Sequence, residues 1–272
     1  MSKIRNGIKL FIPPILLQFL SSPRKPHITN EGVFKNFDEV FKHYQNSTNY
    51  DAQDSLQEAA DKAAKELQNL EAGNHPNISY ELIRLNILSY LTAGLSKEKL
   101  SVLDIGGGFG ASFLNMLSTC PSTAVDFFVA ELPETTTKAK EIFQNYDNIK
   151  FIEEMPSPDQ HEFDIVNFGS SLQYFPNYSE TLTSCAQYQA DYIVISDTPM
   201  GPAETFVCAQ VNMADRTIPR WVFNLEEITS TMRDNGYQLI HKSVNYYEFH
   251  NFSNYDGKEA QSEQYNLIFK RS

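Results

Sequence analysis

Cysteine is scarce in this 272-residue sequence, and Cys120, Cys185 and Cys208 lie far apart with no Cys-x-x-Cys or Cys/His spacing. Such usage supports neither a disulfide framework nor a zinc site, and it is typical of proteins from a reducing compartment. We therefore expect a cytoplasmic protein without a bound metal. No apolar run reaches the roughly 18 residues that a transmembrane helix requires.

Basic residues are also few, because 22 Lys and Arg stand against 34 Asp and Glu, which gives a net charge of −12. A net-negative protein repels a phosphate backbone, so we do not expect nucleic acid as a partner. Apolar residues reach 41% and aromatic residues 12%, which is enough to build a buried core. The length predicts one large domain, or one domain with a smaller attachment.

Residues 1–30 depart from this acidity, since they hold five basic side chains and no acidic one. The same stretch contains an apolar run over residues 10–20. Three interpretations remain open: an arm packed on its own domain or on a partner subunit, a segment that contacts anionic membrane lipids through residues 1–20, and a secretory signal peptide. The oligomeric state also remains open.

Residues 31–99 show helical spacing and predict a helical cap. Asn36, with Glu39 three residues later, has the form of a capping box at a helix start. Apolar residues then recur at helical spacing over 51–71 and over 79–90.

The pattern changes at residue 100, where short apolar runs begin to alternate with polar helical stretches. This alternation is typical of βαβ units around a parallel sheet, so residues 100–272 are predicted to form one α/β domain. The predicted strands span 101–105, 125–130, 149–152, 164–168, 192–196, 237–244 and 265–269. The predicted helices span 112–118, 135–145, 179–187 and 225–235.

A glycine-rich loop follows the first of these strands, in the segment Asp104-Ile-Gly-Gly-Gly-Phe-Gly110. Glycines let the backbone adopt positive φ and approach a ligand closely. The helix that follows presents unpaired N–H groups and a partial positive charge at its start. The loop is therefore predicted to bind a carboxylate- or phosphate-bearing ligand through Gly106, Gly107, Gly108 and Gly110.

Two acidic residues bear on the identity of this ligand. The segment fits both the dinucleotide fingerprint Gly-x-Gly-x-x-Ala and the pattern Asp-x-Gly-x-Gly-x-Gly that starts at Asp104. Asp104 opposes the charge of a pyrophosphate, whereas it suits a cationic amino acid. Glu131 ends the second strand, 21 residues beyond Gly110, where a carboxylate can accept hydrogen bonds from both ribose hydroxyls. With Leu132 expected against the adenine, these residues predict a nucleoside ligand.

The segment Asp104–Gly110 resembles motif I of the class I methyltransferases that use S-adenosylmethionine (SAM). The resemblance implies the α/β Rossmann-like three-layer sandwich of that superfamily, with a mostly parallel seven-stranded sheet that ends in an antiparallel hairpin. It implies SAM as the cofactor, with the glycines near its methionine part and Asp104 near its ammonium group. It also implies that Gly169 and Ser170, after the fourth strand, border the sulfonium.

Six further motifs extend over nearly the whole chain: Ile12-Pro-Pro-Ile-Leu-Leu17, Glu31-Gly-Val-Phe34, Asp38-Glu-Val40, Glu131-Leu-Pro133, Gly169-Ser-Ser-Leu-Gln-Tyr174 and Thr198-Pro-Met200. Together they resemble methyltransferases encoded among cell-surface polysaccharide biosynthesis genes. This narrower resemblance implies a small-molecule acceptor, a sugar or the hydroxyl of a glycan precursor.

The acceptor side is less clearly marked in the sequence. Asp197, at the predicted end of the fifth strand, is the candidate general base. The long segment 199–224 is predicted to be a lid or specificity element at the ligand edge, or else an ordinary packing excursion. Candidate substrate-binding residues in and near this segment are Tyr174, Gln210, Arg220 and Trp221.

Two other functions are compatible with the glycine loop. An NAD(P)-dependent oxidoreductase or epimerase would share the loop and the ribose-binding acid, but it also needs a hydride-handling set such as Tyr-x-x-x-Lys. A non-catalytic module of the same fold would serve as a scaffold or partner subunit.

Overall fold

The computed structural model of the protein describes residues 29–48, 56–73, 86–212, 216–245, 252 and 254–272. Residues 1–28 of the predicted N-terminal arm lie outside these ranges, as does most of the helix predicted over 79–90.

Ten strands and seven helices make up the described part of the chain. The strands are β1 (Asn30–Phe34), β2 (Lys99–Ile105), β3 (Ala124–Ala130), β4 (Ile149–Ile152), β5 (Ile165–Gly169), β6 (Tyr192–Gly201), β7 (Phe206–Gln210), β8 (Ile218–Asn224), β9 (Tyr237–Asn245) and β10 (Glu263–Arg271). The helices are α1 (Phe37–His43), α2 (Leu56–Glu71), α3 (Asn86–Gly94), α4 (Ala111–Thr119), α5 (Pro133–Ile142), α6 (Tyr178–Ala186) and α7 (Leu225–Asp234). None of these helices is both long and apolar enough to cross a membrane.

The central strands form a parallel sheet in the order β4-β3-β2-β5-β6. Strand β10 pairs antiparallel with both β6 and β9, and so completes one end of the sheet. The predicted Rossmann-like α/β fold with an antiparallel end is therefore confirmed. The chain runs outward from β2 in one direction and from β5 in the other, and open α/β sheets bind ligands at such a switch point.

Helices cover both faces of this sheet and complete three layers. On one face α2, α3, α4 and α5 pack on the strands through a buried cluster that includes Leu88, Phe113 and Phe127. On the other face α6 and α7 pack through Leu182 and Ile228. Burial of each such side chain contributes about 1.5–3 kcal/mol to the stability of the fold. The two helical layers therefore hold the sheet from both sides.

Three strands, β1, β7 and β8, add to the seven that were predicted. Strand β7 pairs antiparallel with both β1 and β8, and β8 joins β6 at Met200 and Gly201. The prediction of helical structure from residue 31 onward is therefore wrong at β1. Gly32 has a φ of +73°, which a right-handed helix does not allow, and the backbone of β1 pairs with β7 instead.

The segment 199–224 is mostly strand in its described part, so of the two interpretations the structure favours a packing excursion over a lid. Its two apolar runs become β7 and β8, which satisfy each other's backbone groups. Helix α1 covers one side of this pair through Phe37 and Val40. Phe252 and Tyr255 cover the other side. Two covered faces make the segment a part of the folded core.

Candidate functional site

The glycine loop runs from the carboxyl end of β2 into α4. Gly106, Gly108 and Gly110 have φ values of +67°, +58° and +74°, a conformation that costs other L-residues about 1–2 kcal/mol. The Gly106 N–H donates to the Ala130 carbonyl of β3 at 2.9 Å, which ties the loop to the neighbouring strand. A Cβ placed on Gly108 would meet nothing within 4 Å. At this position the loop presents open backbone to a ligand.

Asp104 lies directly beneath this loop and is completely buried. Its Oδ1 accepts a hydrogen bond from Asn167 Nδ2 at 2.7 Å, whereas its buried Oδ2 accepts none. Burial raises the pKa of Asp104 to about 7, against the opposing effects of the Asn167 and Ser112 side chains. A buried acceptor with an oxygen left unpaired is electrostatically complementary to a cationic group.

Glu131 holds the opposite side of the loop. Its Oε1 accepts from the Gly108 N–H at 3.0 Å, and its Oε2 accepts from the Leu132 N–H at 2.9 Å. A carboxylate has about four acceptor positions, so the half-buried Glu131 retains two for the hydroxyls of a ligand. Leu132 precedes α5 and is 48% exposed, so an apolar surface lies next to this carboxylate.

The loop after β5 packs against the glycine loop. Ser171 Oγ donates to the Ile105 carbonyl, and a Cβ on Gly106 would lie 2.7 Å from Ser171 Cβ. Ser170 has a φ of +62°, which is strained for a residue other than glycine, and its N–H donates to the Ser196 carbonyl of β6 at 2.9 Å. The structure thus brings Asp104, the glycine loop, Glu131, Gly169 and Ser170 to one edge of the sheet.

Sequence reasoning missed Asn167 and Ser171. Asn167 pairs with Asp104 in the register of β2 and β5, so the two side chains share a face of the sheet. The sequence did contain a sign that Asn167 has a specific partner, because it is the one amide within the apolar strand Ile165-Val-Asn-Phe-Gly169. A polar side chain in such a strand requires a partner.

Asp197 lies within β6 and does not end it, since the strand continues to Gly201. Its φ of +51° coincides with an irregularity in the pairing of β6 with β10. The side chain is buried, its backbone N–H donates to Asn266 Oδ1 at 2.9 Å, and its Oδ1 accepts from Asn245 Nδ2 at 3.5 Å. The predicted base therefore contacts residues of β9 and β10. In the chain it follows Ser196, whose carbonyl accepts from the Ser170 N–H.

The four predicted substrate residues divide into two groups. Tyr174 Oη donates to Gln210 Oε1 at 2.9 Å, and Tyr174 also interacts with the Arg220 side chain. Trp221 lies on the opposite face of β8, where its Nε1 donates to the Phe175 carbonyl at 3.1 Å and its ring contacts Phe37. Successive residues of a strand point to opposite faces, so Trp221 is placed away from the other three and packs in the core.

The sequence contains one Tyr-x-x-x-Lys spacing in the α/β region, Tyr146 to Lys150. Tyr146 Oη donates to Glu71 Oε1 at 3.1 Å, and Lys150 Nζ lies 5.1 Å from the centroid of the Phe128 ring. Both residues stand at the start of β4, at the other end of the strands from the glycine loop. They do not form a hydride-transfer site beside it.

No protein-family model matches the chain, and no curated protein matches its sequence. Among solved structures, a candidate sarcosine dimethylglycine methyltransferase from Galdieria sulphuraria aligns with a TM-score of 0.50 at 11% identity, over 78% of this chain and 98% of that one. The magnesium protoporphyrin IX methyltransferase of Synechocystis, with bound S-adenosylhomocysteine, aligns with a TM-score of 0.49 at 13% identity, over 86% of this chain and 100% of that one. The first of these similarities shows the fold, and this chain has the Rossmann-like fold of that methyltransferase.

Proposed function

We propose that the protein transfers a methyl group from SAM to a small-molecule acceptor. One observation carries the proposal: a single glycine loop lies between a buried acid with an unpaired oxygen, Asp104, and a surface acid with acceptor positions left over, Glu131. This pair of groups is complementary to a cationic amino acid joined to a ribose. A pyrophosphate ligand would instead meet the negative charge of Asp104. The Galdieria protein of the same fold is itself described as a methyltransferase.

The residues at the loop fit the parts of SAM. Glu131 is suited to the ribose hydroxyls and Leu132 to the adenine face, while the backbone of Gly106, Gly107, Gly108 and Gly110 is suited to the methionine part. Asp104 supplies negative charge for the ammonium group, and Gly169 and Ser170 border the sulfonium. SAM carries a methyl group that is already activated, so the chain needs no nucleophile of its own.

The protein's task is then to align the acceptor with the methyl group. Holding two reacting centres in a near-attack geometry lowers a barrier by up to about 7–11 kcal/mol. A hydroxyl acceptor also gains about 10²–10⁴ in rate from a base within hydrogen-bond reach. We propose Asp197 as that base, since it follows Ser196, whose carbonyl accepts a hydrogen bond from the Ser170 N–H. To act as the base, the Asp197 side chain has to turn from its present contact with Asn245 toward the acceptor.

The finer features of the proposal rest on sequence motifs. The resemblance to methyltransferases of polysaccharide biosynthesis favours a sugar or glycan precursor hydroxyl as the acceptor. Of the predicted division into an arm (1–30), a helical cap (31–99) and a SAM-binding domain (100–272), we propose the arm and the SAM-binding domain. We do not propose the cap as a separate unit, because β1 stands at its start and α2 and α3 pack on the sheet of the domain. The basic residues of 1–20 favour contact of a cytoplasmic protein with an anionic membrane surface.

Titration calorimetry of the full chain with SAM, S-adenosylhomocysteine and NAD tests the proposal. We expect binding of the first two in the micromolar range and none of NAD. Binding of NAD without SAM would reverse the assignment toward an oxidoreductase. If the protein binds neither SAM nor NAD, the proposed methyl transfer is excluded.

A further inference from the structure

Arg220 on β8 is a buried cation whose hydrogen-bonding capacity is largely unused. The residue is 3% exposed, and its Nε and Nη2 atoms are buried without a hydrogen-bond partner. The N–H groups of Nε and Nη2 point in the same direction along one edge of the guanidinium. This edge is the one that binds a carboxylate or a phosphate through two parallel hydrogen bonds.

The described neighbours of Arg220 do not neutralise its charge. Cys208 faces it across the β7–β8 pair, and burial raises the pKa of the Cys208 thiol, so the thiol stays neutral. The Phe252 ring centroid lies 5.9 Å from the guanidinium carbon. No Asp or Glu in the described ranges forms an ion pair with Arg220. A buried charge without a counter-ion is costly to a fold, and a bound anion removes that cost.

Arg220 is also linked to the proposed SAM site by a short stretch of chain. Ser171 packs on Gly106 of the glycine loop, and the single turn Leu172–Tyr174 follows it directly. Tyr174, the last residue of this turn, interacts with Arg220 and donates to Gln210. The turn therefore connects Arg220, and any anion that it holds, to the glycine loop.

We infer that Arg220 binds an anionic group of the methyl acceptor, a phosphate or a carboxylate, through Nε and Nη2, with Tyr174 and Gln210 beside it. The acceptor is accordingly a molecule that carries one of these groups. The identification of the anion with the acceptor rests on the proposed methyl transfer, whereas the anion site itself does not.

Thermal unfolding of the full chain in sodium phosphate, sodium acetate and sodium chloride at equal ionic strength tests the site. An anion that binds only the folded state raises the melting temperature. We expect phosphate or acetate to raise the melting temperature by several degrees relative to chloride. The anion with the larger effect identifies the chemical group that Arg220 binds. R233M is the matched control, because Arg233 on α7 is exposed, and it should respond as the native protein does. R220M should lose the response.

The melting temperature of R220M in chloride separates a binding role from a structural one. Replacing an unpaired buried charge by an apolar side chain should leave the melting temperature unchanged or raise it. The proposal is overturned by a marked fall in this value, by a native protein that responds equally to all three salts, or by an unaltered response in R220M. R220Q is measured beside R220M, because its amide keeps polar contacts without the charge. Failure of both variants to fold likewise overturns the proposal.

Calorimetry with S-adenosylhomocysteine separates this inference from the proposed function. R220M should bind it within twofold of the native affinity. A tenfold loss would assign the anion site to the cofactor's own carboxylate and overturn the inference. If the native protein fails to bind S-adenosylhomocysteine but keeps its response to phosphate or acetate, the proposed methyl transfer fails and the anion site stands.

Discussion

The carboxyl group of Asp104 fills the space in front of Gly107, where a Cβ would lie 2.4 Å from Asp104 Oδ2. Only glycine fits over a buried carboxyl at this distance. Gly107 thus differs from Gly108, which has open space around it and is required for its φ of +58°. The same short loop uses one glycine for close packing and another for backbone conformation.

This contrast predicts different costs for two alanine substitutions. G107A should lower the free energy of unfolding by about 3 kcal/mol or more, because a packed core accommodates an inserted methyl poorly. G108A should cost only the backbone strain, about 1–2 kcal/mol. In a D104A background the cost of G107A should fall by at least about 1 kcal/mol, as expected for residues in contact. Urea unfolding measures the free energy of unfolding of each variant. If G107A costs the same in both backgrounds, the contact between Gly107 and Asp104 is contradicted.

The raised pKa of Asp104 predicts how stability depends on pH. Because folding lifts the pKa from its ordinary value near 4 to about 7, the folded state holds this proton more tightly than the unfolded state does. The contribution of Asp104 to the free energy of unfolding is therefore greatest below pH 4, and it declines as the pH rises toward 7 by an upper limit of roughly 4 kcal/mol.

D104N should remove this decline, since the amide does not ionise. Urea unfolding of the native protein and of D104N at pH 5 and pH 8 measures the difference. We expect D104N to lose less stability between the two pH values than the native protein. The same loss in both proteins would mean that Asp104 does not titrate in this range.

Glu131 should matter for ligand binding more than for folding. E131A removes a half-buried carboxylate whose hydrogen bonds to hydroxyls are worth about 1.5–3 kcal/mol each. We expect the affinity for S-adenosylhomocysteine in calorimetry to fall at least tenfold, with a small change in melting temperature. E180A, at an exposed position in α6, is the control and should bind normally. An unchanged affinity in E131A would exclude Glu131 from the site.

Trp221 should behave as a core residue. Its ring contacts Phe37, Tyr178 and Phe223, and its indole N–H donates to a carbonyl. W221A should therefore cost about 3–5 kcal/mol of unfolding free energy, measured by urea unfolding. The folded variant should bind S-adenosylhomocysteine with native affinity. A stable W221A protein that no longer binds it would place Trp221 in the site after all.

Local patterns in the sequence were enough to predict the central sheet and the loop at its edge. The strand predicted over residues 149–152 has the same bounds as β4, and α7 begins at the predicted residue 225. Hydrophobic spacing, turn glycines and caps act over a few residues. They can therefore be read without knowledge of the fold.

The additional strands could not be predicted in this way. Strand β1 pairs Asn30 with Gln210, a contact between residues far apart in the chain. Neither segment signals its partner, and Gly32 obscures the short strand. The pairing of Asp104 with Asn167 likewise became visible only in the register of β2 and β5.

What the sequence determined by itself was the alternation of strands and helices, the glycine loop and the two acids near the carboxyl ends of β2 and β3, because backbone conformation and burial depend on neighbouring residues. The tertiary structure alone decided which side chains meet. Arg220 and Trp221 are adjacent in the chain, yet the pleat of β8 turns one toward Tyr174 and the other into the core beside Phe37. The pairing of β8 with β7 and β6 determines which side chains each face of β8 meets, and this pairing is a property of the whole fold.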